Sequence, residues 1–260
     1  MEVDFLRRAK IATHAFADIA NWRQVLPRAA AGEIVTKIQL RSGSTITALP
    51  DNVLWTQFSD IWYHRSYTKH CAMPPGAVVL DVGANVGVFA LFAARVARIV
   101  YSLEPASLNF PRLVSNVSRA KNILPLNLAC SGRDGRASLN LGVDAVSFSL
   151  VSQSPDKEET VDVVSLGTLF ERYKIDRCDF LKLDCEGAEF EIILDADPSL
   201  MSRVDRIVME YHDHLSKKFT HRDLLQKLEQ LGFRAKAYNP NGTYGMIAAT
   251  RQEVAPPGSR

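Results

Sequence analysis

The chain has 260 residues, 47% hydrophobic and 23% charged, which is the composition of an ordinary globular protein and excludes a disordered or fibrous one. A net charge of +2 leaves no electrostatic footprint for nucleic acid. The length suits one α/β domain with an N-terminal extension, able to bury a core without disulfides or a structural metal.

Residues 1–31 are Ala-rich, with apolar residues at helical spacing and Pro27 and Gly32 punctuating the end. The opening MEVDFLRRAKIATHAF mixes charges with its apolar residues, so it lacks the continuous apolar core of a signal peptide. EIVTKIQLRSGSTITAL reads as two short alternating strands around Ser42-Gly43-Ser44, a hairpin signal. Val53 to His70 is aromatic-rich and helical in part. Pro74-Pro75-Gly76 is the strongest break. It divides an extension (1–74) from the main domain (75–251), which a short flexible tail (252–260) follows.

From there strands and helices alternate. AVVLDV is a buried strand, and Asn85 to Ile99 reads as a helix with a stripe at Val88, Phe92, Val96 and Ile99. ARIVYSLE is the second strand. Ser107 to Ala120 is the second helix, with Pro111 tolerable only near its first turn. NILPLNLAC is the third strand. Residues 132–165 break the rhythm: ASLNL, VSFSLV and TVDVVS alternate like short antiparallel strands, with the polar SQSPDKEE as a surface loop. The alternation then resumes with a helix over Ser165 to Tyr173, the strand CDFLKLDC, a helix starting at Ala188, and the strand VDRIVMEYH. A helix follows over Arg222 to Leu231, closed by Gly232. FRAKAY and MIAAT form a closing antiparallel hairpin around Asn241-Gly242. The expected architecture is a Rossmann-like, mainly parallel sheet with that hairpin at one edge.

VVLDVGANVGVF, Val78 to Phe89, runs a buried strand into a glycine-rich turn that opens a helix. Such a turn offers backbone N–H groups to a polar small molecule at the strand ends. Dinucleotide sites use G-x-G-x-x-G, whereas the spacing here is Gly83-x-x-x-Gly87 with Asp81 ahead of it. A carboxylate there would repel a pyrophosphate but suits an ammonium or sulfonium group. S-adenosyl-L-methionine carries both and no phosphate. The expected cofactor contacts are Asp81, Gly83, Ala84, Asn85 and Gly87, with Glu104 at the end of the second strand accepting both ribose hydroxyls of an adenosine.

On VVLDVGANVGVF, on SLEP (Ser102 to Pro105) and on FLKLDCEGAEFEIIL (Phe180 to Leu194), the chain resembles the FkbM family of class I methyltransferases. VVSLGTLFERY and IVMEYH (Ile207 to His212) are similar to the family too, and the resemblance covers about residues 60–250. It implies methyl transfer from S-adenosylmethionine, mostly to hydroxyls of sugars, lipids or natural products.

The strand ending in KLDCEGAEFE and the next, ending in Glu210-Tyr211-His212-Asp213-His214, should converge beyond the carboxyl ends of the sheet. Asp184, Glu186 and His212 are the catalytic candidates. His212 would be the base, its ordinary pKa being about 6.5. Asp184 would orient it, or hold the acceptor or the methionine part of the cofactor. Glu189 is expected to meet the helix dipole, Glu186 could cap the Gly187 turn, Lys182 could pair with an acid, and His214 is expected to be solvated. A divalent ion on Asp184, Glu210 and His212 is an alternative, but no spacing demands it and no metal is expected. Trp55, Phe58, Trp62, Tyr63 and Tyr67 could wall an acceptor pocket or pack a helix on the sheet.

Two rival functions follow from the same residues. An NAD(P)-dependent oxidoreductase would need G-x-G-x-x-G and a proton donor near the site, and a non-catalytic scaffold would show damage in the cofactor loop. The expected partner is a small-molecule or glycan acceptor, with no nucleic acid and no membrane span. Cys71, Cys130, Cys178 and Cys185 form no CxxC pair and read as buried reduced thiols, which suits a cytoplasmic location.

Overall fold

Alternation of strands and helices from residue 75 onward builds a seven-stranded sheet in the computed structural model, which describes residues 11, 13–50, 53–141, 148–149, 158–239 and 242–252. The extension comprises α1 (Trp22–Ala30), a hairpin of β1 (Lys37–Gln39) and β2 (Thr45–Thr47), and α2 (Leu54–Trp62). The main domain begins β3 (Val78–Val82), α3 (Val88–Ala93), β4 (Ile99–Leu103), α4 (Phe110–Val117), β5 (Ile123–Leu126). It continues with β6 (Ala129–Cys130), β7 (Gly135–Leu141), β8 (Phe148–Ser149) and β9 (Glu158–Val164). After these come α5 (Leu166–Arg172), β10 (Phe180–Leu183), α6 (Glu189–Leu194), α7 (Pro198–Met201) and β11 (Arg206–His212). The last elements are α8 (His221–Gln230), β12 (Phe233–Tyr238) and β13 (Tyr244–Arg251).

The large sheet has the order β12-β13-β11-β10-β3-β4-β5. From β11 to β5 every pairing is parallel, whereas β13 runs antiparallel to both β11 and β12. The closing hairpin is therefore present, with its second strand inserted beside β11. Strand order reverses between β3 and β10, which puts the ligand crevice at their carboxyl ends. Side chains alternate between faces. Val79, Val100, Phe180 and Val208 join one apolar cluster with α3 and the extension, through Ile19, Ile38, Phe58 and Trp62. Leu80, Leu103, Leu181 and Ile207 join a second cluster with α5, α6 and α8.

Most expected elements are present. Gly43 sits at φ +96° in the β1–β2 turn, and Pro111 lies in the first turn of α4. Ser165 caps α5 by accepting from the Thr168 N–H at 3.2 Å. Leu224 and Leu228 are fully buried on α8, with Gly232 at φ +84° after it. The first helix departs from expectation. It spans only Val88–Ala93, because Asn85 and Gly87 take left-handed conformations at φ +50° and +88°. At its far end the chain turns back early: Gly76 N–H donates to Val96 O at 2.7 Å and Arg98 N–H to Ala77 O at 2.8 Å. Val96 is therefore exposed, and Ile99 belongs to β4.

The irregular segment forms a second sheet, β6-β9-β7-β8, with β9 antiparallel to β7. Most of VSFSLV, most of the polar loop, nearly all of the tail and Asn241 of the last turn lie outside the described residues.

Candidate active site

β3 is buried along its length and apolar except for Asp81, and it ends where Gly83 (φ +77°) turns the chain. Gly83 and Ala84 donate their N–H groups to Leu103 O at 3.0 and 2.8 Å, which ties the loop to β4. Packing alone requires these glycines. A Cβ at Gly83 would lie 1.8 Å from the Asp184 carbonyl oxygen, and one at Gly87 would lie 2.8 Å from Leu113 Cδ1.

Glu104 follows β4 and is buried. Its two carboxylate oxygens accept from the N–H groups of Asn85, at 2.8 Å, and Ala106, at 3.1 Å. Burial nevertheless pushes its carboxyl up to about 7, against the lowering effect of those two bonds. Glu104 also lines the cavity.

Alternation places Phe180, Lys182 and Asp184 on one face and brings Lys182 beside its register partner Asp81. Lys182 Nζ lies 3.2 Å from Asp81 and 3.6 Å from Asp184, and it donates to Gly83 O at 2.6 Å. Burial opposes its charge, but Asp81 and Asp184 outweigh burial and hold the ammonium protonated. The expected pairing of Lys182 with an acid is thus present. Asp81 is fully buried beneath the loop and does not line the cavity. Its partner is Lys182.

From the extension, Tyr67 reaches into the same cluster. Its phenolic oxygen lies 2.8 Å from Asp184 Oδ2 and 2.7 Å from Glu210 Oε1. Burial, then the charge of Asp184, raises Glu210 to about 7.

His212 is oriented by Glu189, not by Asp184. The Glu189 Oε1 oxygen accepts from the His212 backbone N–H at 2.9 Å and faces ring Nδ1 at 3.1 Å, while Oε2 accepts from the Gly187 N–H at 2.8 Å. Glu189 is fully buried and also caps the turn assigned above to Glu186. Glu186, at φ +50°, instead faces His212 Nε2 at 3.7 Å, and burial raises its carboxyl to about 7. Burial would lower His212, but the bond and charge of Glu189, with Glu186 and Asp184, raise it to about 9. These neighbours favour the protonated imidazole over the free base expected of it. His214 is exposed.

A cavity of about 260 Å³ joins these groups. Gly83, Ala84, Asn85 and Glu104 line it, as do Asp184 and Glu186; Asp81, Gly87 and His212 stand behind its wall. Of the aromatic candidates only Tyr67 lines it. Trp62 stacks on Phe58 with centroids 4.8 Å apart and donates from Nε1 to Val88 O at 3.3 Å, so these two pack α2 onto α3. α2 contributes Gln57, Asp60 and Ile61, and the second sheet contributes Ala129, Cys130 and Leu139. The lining fits S-adenosylmethionine. The buried carboxylate of Glu104 suits the ribose diol, and the main chain of the glycine loop suits the rest of the cofactor.

The sequence pattern named Glu210 only as an alternative metal ligand, and passed over Glu189 as the orienting group and Tyr67 as a hydrogen-bonding one. Glu210 shares a face with His212 two residues on, a signal that strand alternation carries. Nothing local marks Glu189 or Tyr67, whose partners lie 23 and 117 or more residues away.

The profile of the family described as the methyltransferase FkbM domain matches residues 81–235. The chain is 25% identical over 216 residues to the 31-O-demethyl-FK506 methyltransferase FkbM of Streptomyces tacrolimicus, covering 70% of this chain and 83% of that one. To the hexuronic acid methyltransferase AglP of Haloferax volcanii it is 28% identical over 142 residues, 54% of this chain and 58% of that one. It is 25% identical over 225 residues to the AMB antimetabolite synthetase AmbE of Pseudomonas aeruginosa, where the match covers 70% of this chain but spans only 11% of that protein. A solved SAM-dependent methyltransferase from Aquifex aeolicus superposes with a TM-score of 0.42 at 13% identity, covering 74% of this chain and 92% of that one.

Proposed function

Since the chain belongs to the FkbM methyltransferase family and takes S-adenosylmethionine as its cofactor, we propose that it methylates a hydroxyl group of a sugar, lipid or natural-product acceptor. The observation that carries the proposal is the single cavity joining Glu104 and the glycine loop to the end lined by Tyr67, Asp184, Glu186 and Glu210. Hydrogen-bond acceptors dominate that second end, and hydroxyl donors satisfy them. The names of two relatives, a 31-O-demethyl-FK506 methyltransferase and a hexuronic acid methyltransferase, support acceptors of this kind. The oxidoreductase alternative fails on the family.

In this reading Glu104 holds the ribose diol, and the main chain from Gly83 to Asn85 frames the cofactor. Lys182 pins the loop through Gly83 O. When bound, S-adenosylmethionine supplies a methyl carbon already activated by its sulfonium. What remains for the protein is to align the acceptor oxygen, worth roughly 7–11 kcal/mol, and to take its proton. Asp184 and Glu210, steadied by Tyr67, accept from the acceptor's hydroxyls. Glu186, at the cavity wall, receives the proton.

A small acceptor rather than nucleic acid, and a cytoplasmic location, belong to the same proposal. The net charge of +2 supports the first and the four unpaired cysteines the second. No helix among the described residues is long and apolar enough to cross a membrane.

The test is transfer of a labelled methyl group to a panel of sugar and macrolide acceptors. Label in an alkali-stable ether is expected. Glu104→Ala should weaken cofactor binding by on the order of tenfold or more, from loss of charge-assisted hydrogen bonds. Glu186→Gln should spare cofactor binding and lower kcat by about 10²–10⁴-fold, the usual contribution of a proton acceptor. Label released by mild alkali, as from an ester, or found on nitrogen would overturn the assignment to hydroxyl.

A further inference from the structure

We propose that Asp184, Glu210 and His212 form a binding site for a divalent metal ion at the acceptor end of the cavity. The inference rests on the methyl-transfer reading for what the ion does, not for whether it binds.

One donor atom from each of the three residues lies within 4.8 Å of the other two. Bonds of about 2.1 Å place ligand atoms roughly 3 to 4.2 Å apart around one ion, so small rotations of the carboxylates close the site. The backbone supports are rigid. Asp184 directly follows β10, and Glu210 and His212 lie two residues apart on one face of the neighbouring strand β11.

Two features suit a cation at this place. First, the His212 ring is buried, with 8% of its side chain exposed, and is anchored through Nδ1 to the fully buried Glu189. A carboxylate behind one imidazole nitrogen is how proteins present the other nitrogen to a metal. That other nitrogen, Nε2, lies 3.7 Å from Glu186, near enough for an ion pair but too far for a hydrogen bond. Second, the Tyr67 oxygen lies within 2.8 Å of both Asp184 and Glu210, yet a phenol carries one proton. One of the two short contacts therefore lacks a positive centre, which a further proton or a metal ion must supply.

Charge agrees. Asp81, Asp184, Glu186, Glu189 and Glu210 surround Lys182 and His212 in a cluster of buried and half-buried side chains. Lys182 is committed to Asp81 and to Gly83 O, and reaches Asp184 only at 3.6 Å. Two carboxylates with one imidazole suit Mn²⁺, Fe²⁺ or Zn²⁺ better than Ca²⁺. An ion here would lie beside the acceptor hydroxyl and lower its pKa.

The experiment titrates Mn²⁺ into the metal-free full chain and follows loss of the free-ion electron paramagnetic signal. One site of micromolar affinity is expected. Asp184→Asn, Glu210→Gln and His212→Asn should each weaken it at least tenfold. Glu189→Gln, which leaves all three ligands in place, should weaken it by about tenfold through loss of ring orientation. Because a variant could lose its fold, the wild type is also probed by nuclear magnetic resonance, where bound Mn²⁺ should broaden Asp184, Glu210 and His212 before any distant residue. Absence of stoichiometric binding, broadening centred elsewhere, or affinity unchanged in folded variants would overturn the site. S-adenosylmethionine titrated in chelator tests the cofactor reading separately: binding there, with no Mn²⁺ site, removes the metal and leaves the methyltransferase reading intact.

Discussion

Gly83 and Gly87 share a motif yet differ in what surrounds them. The Cβ of Gly83→Ala would strike a backbone carbonyl at 1.8 Å, where neither strand end can yield. That of Gly87→Ala would meet the flexible end of Leu113 at 2.8 Å. Both also force a positive φ. Urea unfolding should therefore show a loss of more than about 4 kcal/mol, or no folded protein, for Gly83→Ala, and roughly 1–3 kcal/mol for Gly87→Ala. Equal losses would contradict the packing account. Glu104 carries a pH signature. Its folded value of about 7 lies above the ordinary 4.5, so the folded chain binds that proton more tightly than the unfolded chain. The stabilisation is complete below 4.5 and is lost as pH rises through 7, a change on the order of 3 kcal/mol. Unfolding midpoints should fall over that window relative to Glu104→Ala. Because ribose hydroxyls favour the charged carboxylate, cofactor affinity measured by calorimetry should rise from pH 6 to pH 8. A flat profile would count against Glu104 as the ribose ligand.

At the scale of elements, Asn116 on α4 joins three segments. Its amide nitrogen donates to Val86 O at 2.8 Å and to Thr47 O at 3.0 Å, and its oxygen accepts from the Thr47 N–H at 3.0 Å. One side chain thus ties the β1–β2 hairpin of the extension to the cofactor loop. Asn116→Ala leaves these buried backbone groups without partners and should cost about 2–3 kcal/mol in urea unfolding. It should also weaken S-adenosylmethionine binding although it touches no part of the cavity. Wild-type affinity in a destabilised variant would show that the loop holds its shape alone.

For the whole molecule, the extension is part of the core. Ile19, Ile38, Ile46 and Phe58 are fully buried in the same apolar cluster as Val79, Val100 and Phe180 of the sheet. Fully burying a large apolar side chain is worth about 1.5–3 kcal/mol, so deleting residues 1–74 removes roughly 6–12 kcal/mol for these four alone, comparable with the 5–15 kcal/mol stability of a typical domain. The truncated chain should lose its near-ultraviolet circular dichroism and bind a hydrophobic dye. Cooperative unfolding of the truncated chain would make the extension a separable unit.

The strand–helix rhythm, the hairpin around Gly43, the helix from Ser165 and the buried face of α8 were all legible because each depends on neighbours a few residues apart. So was the glycine-rich turn after β3, because Asp81, Gly83 and Glu104 stand at strand ends that the alternation itself locates. The length of α3 was not legible, since left-handed turns and a long-range return to Ala77 set it. Nor was the chemistry of the acid cluster. Asp81 reads as a ligand until Lys182 is seen beside it at 3.2 Å. His212 reads as a base until Glu189 is seen behind its ring at 3.1 Å. Local sequence determined which ionisable groups reach the carboxyl end of the sheet. Only the tertiary structure decided which of them are buried and paired, because charge state and orientation depend on neighbours that the fold, not the chain order, brings together.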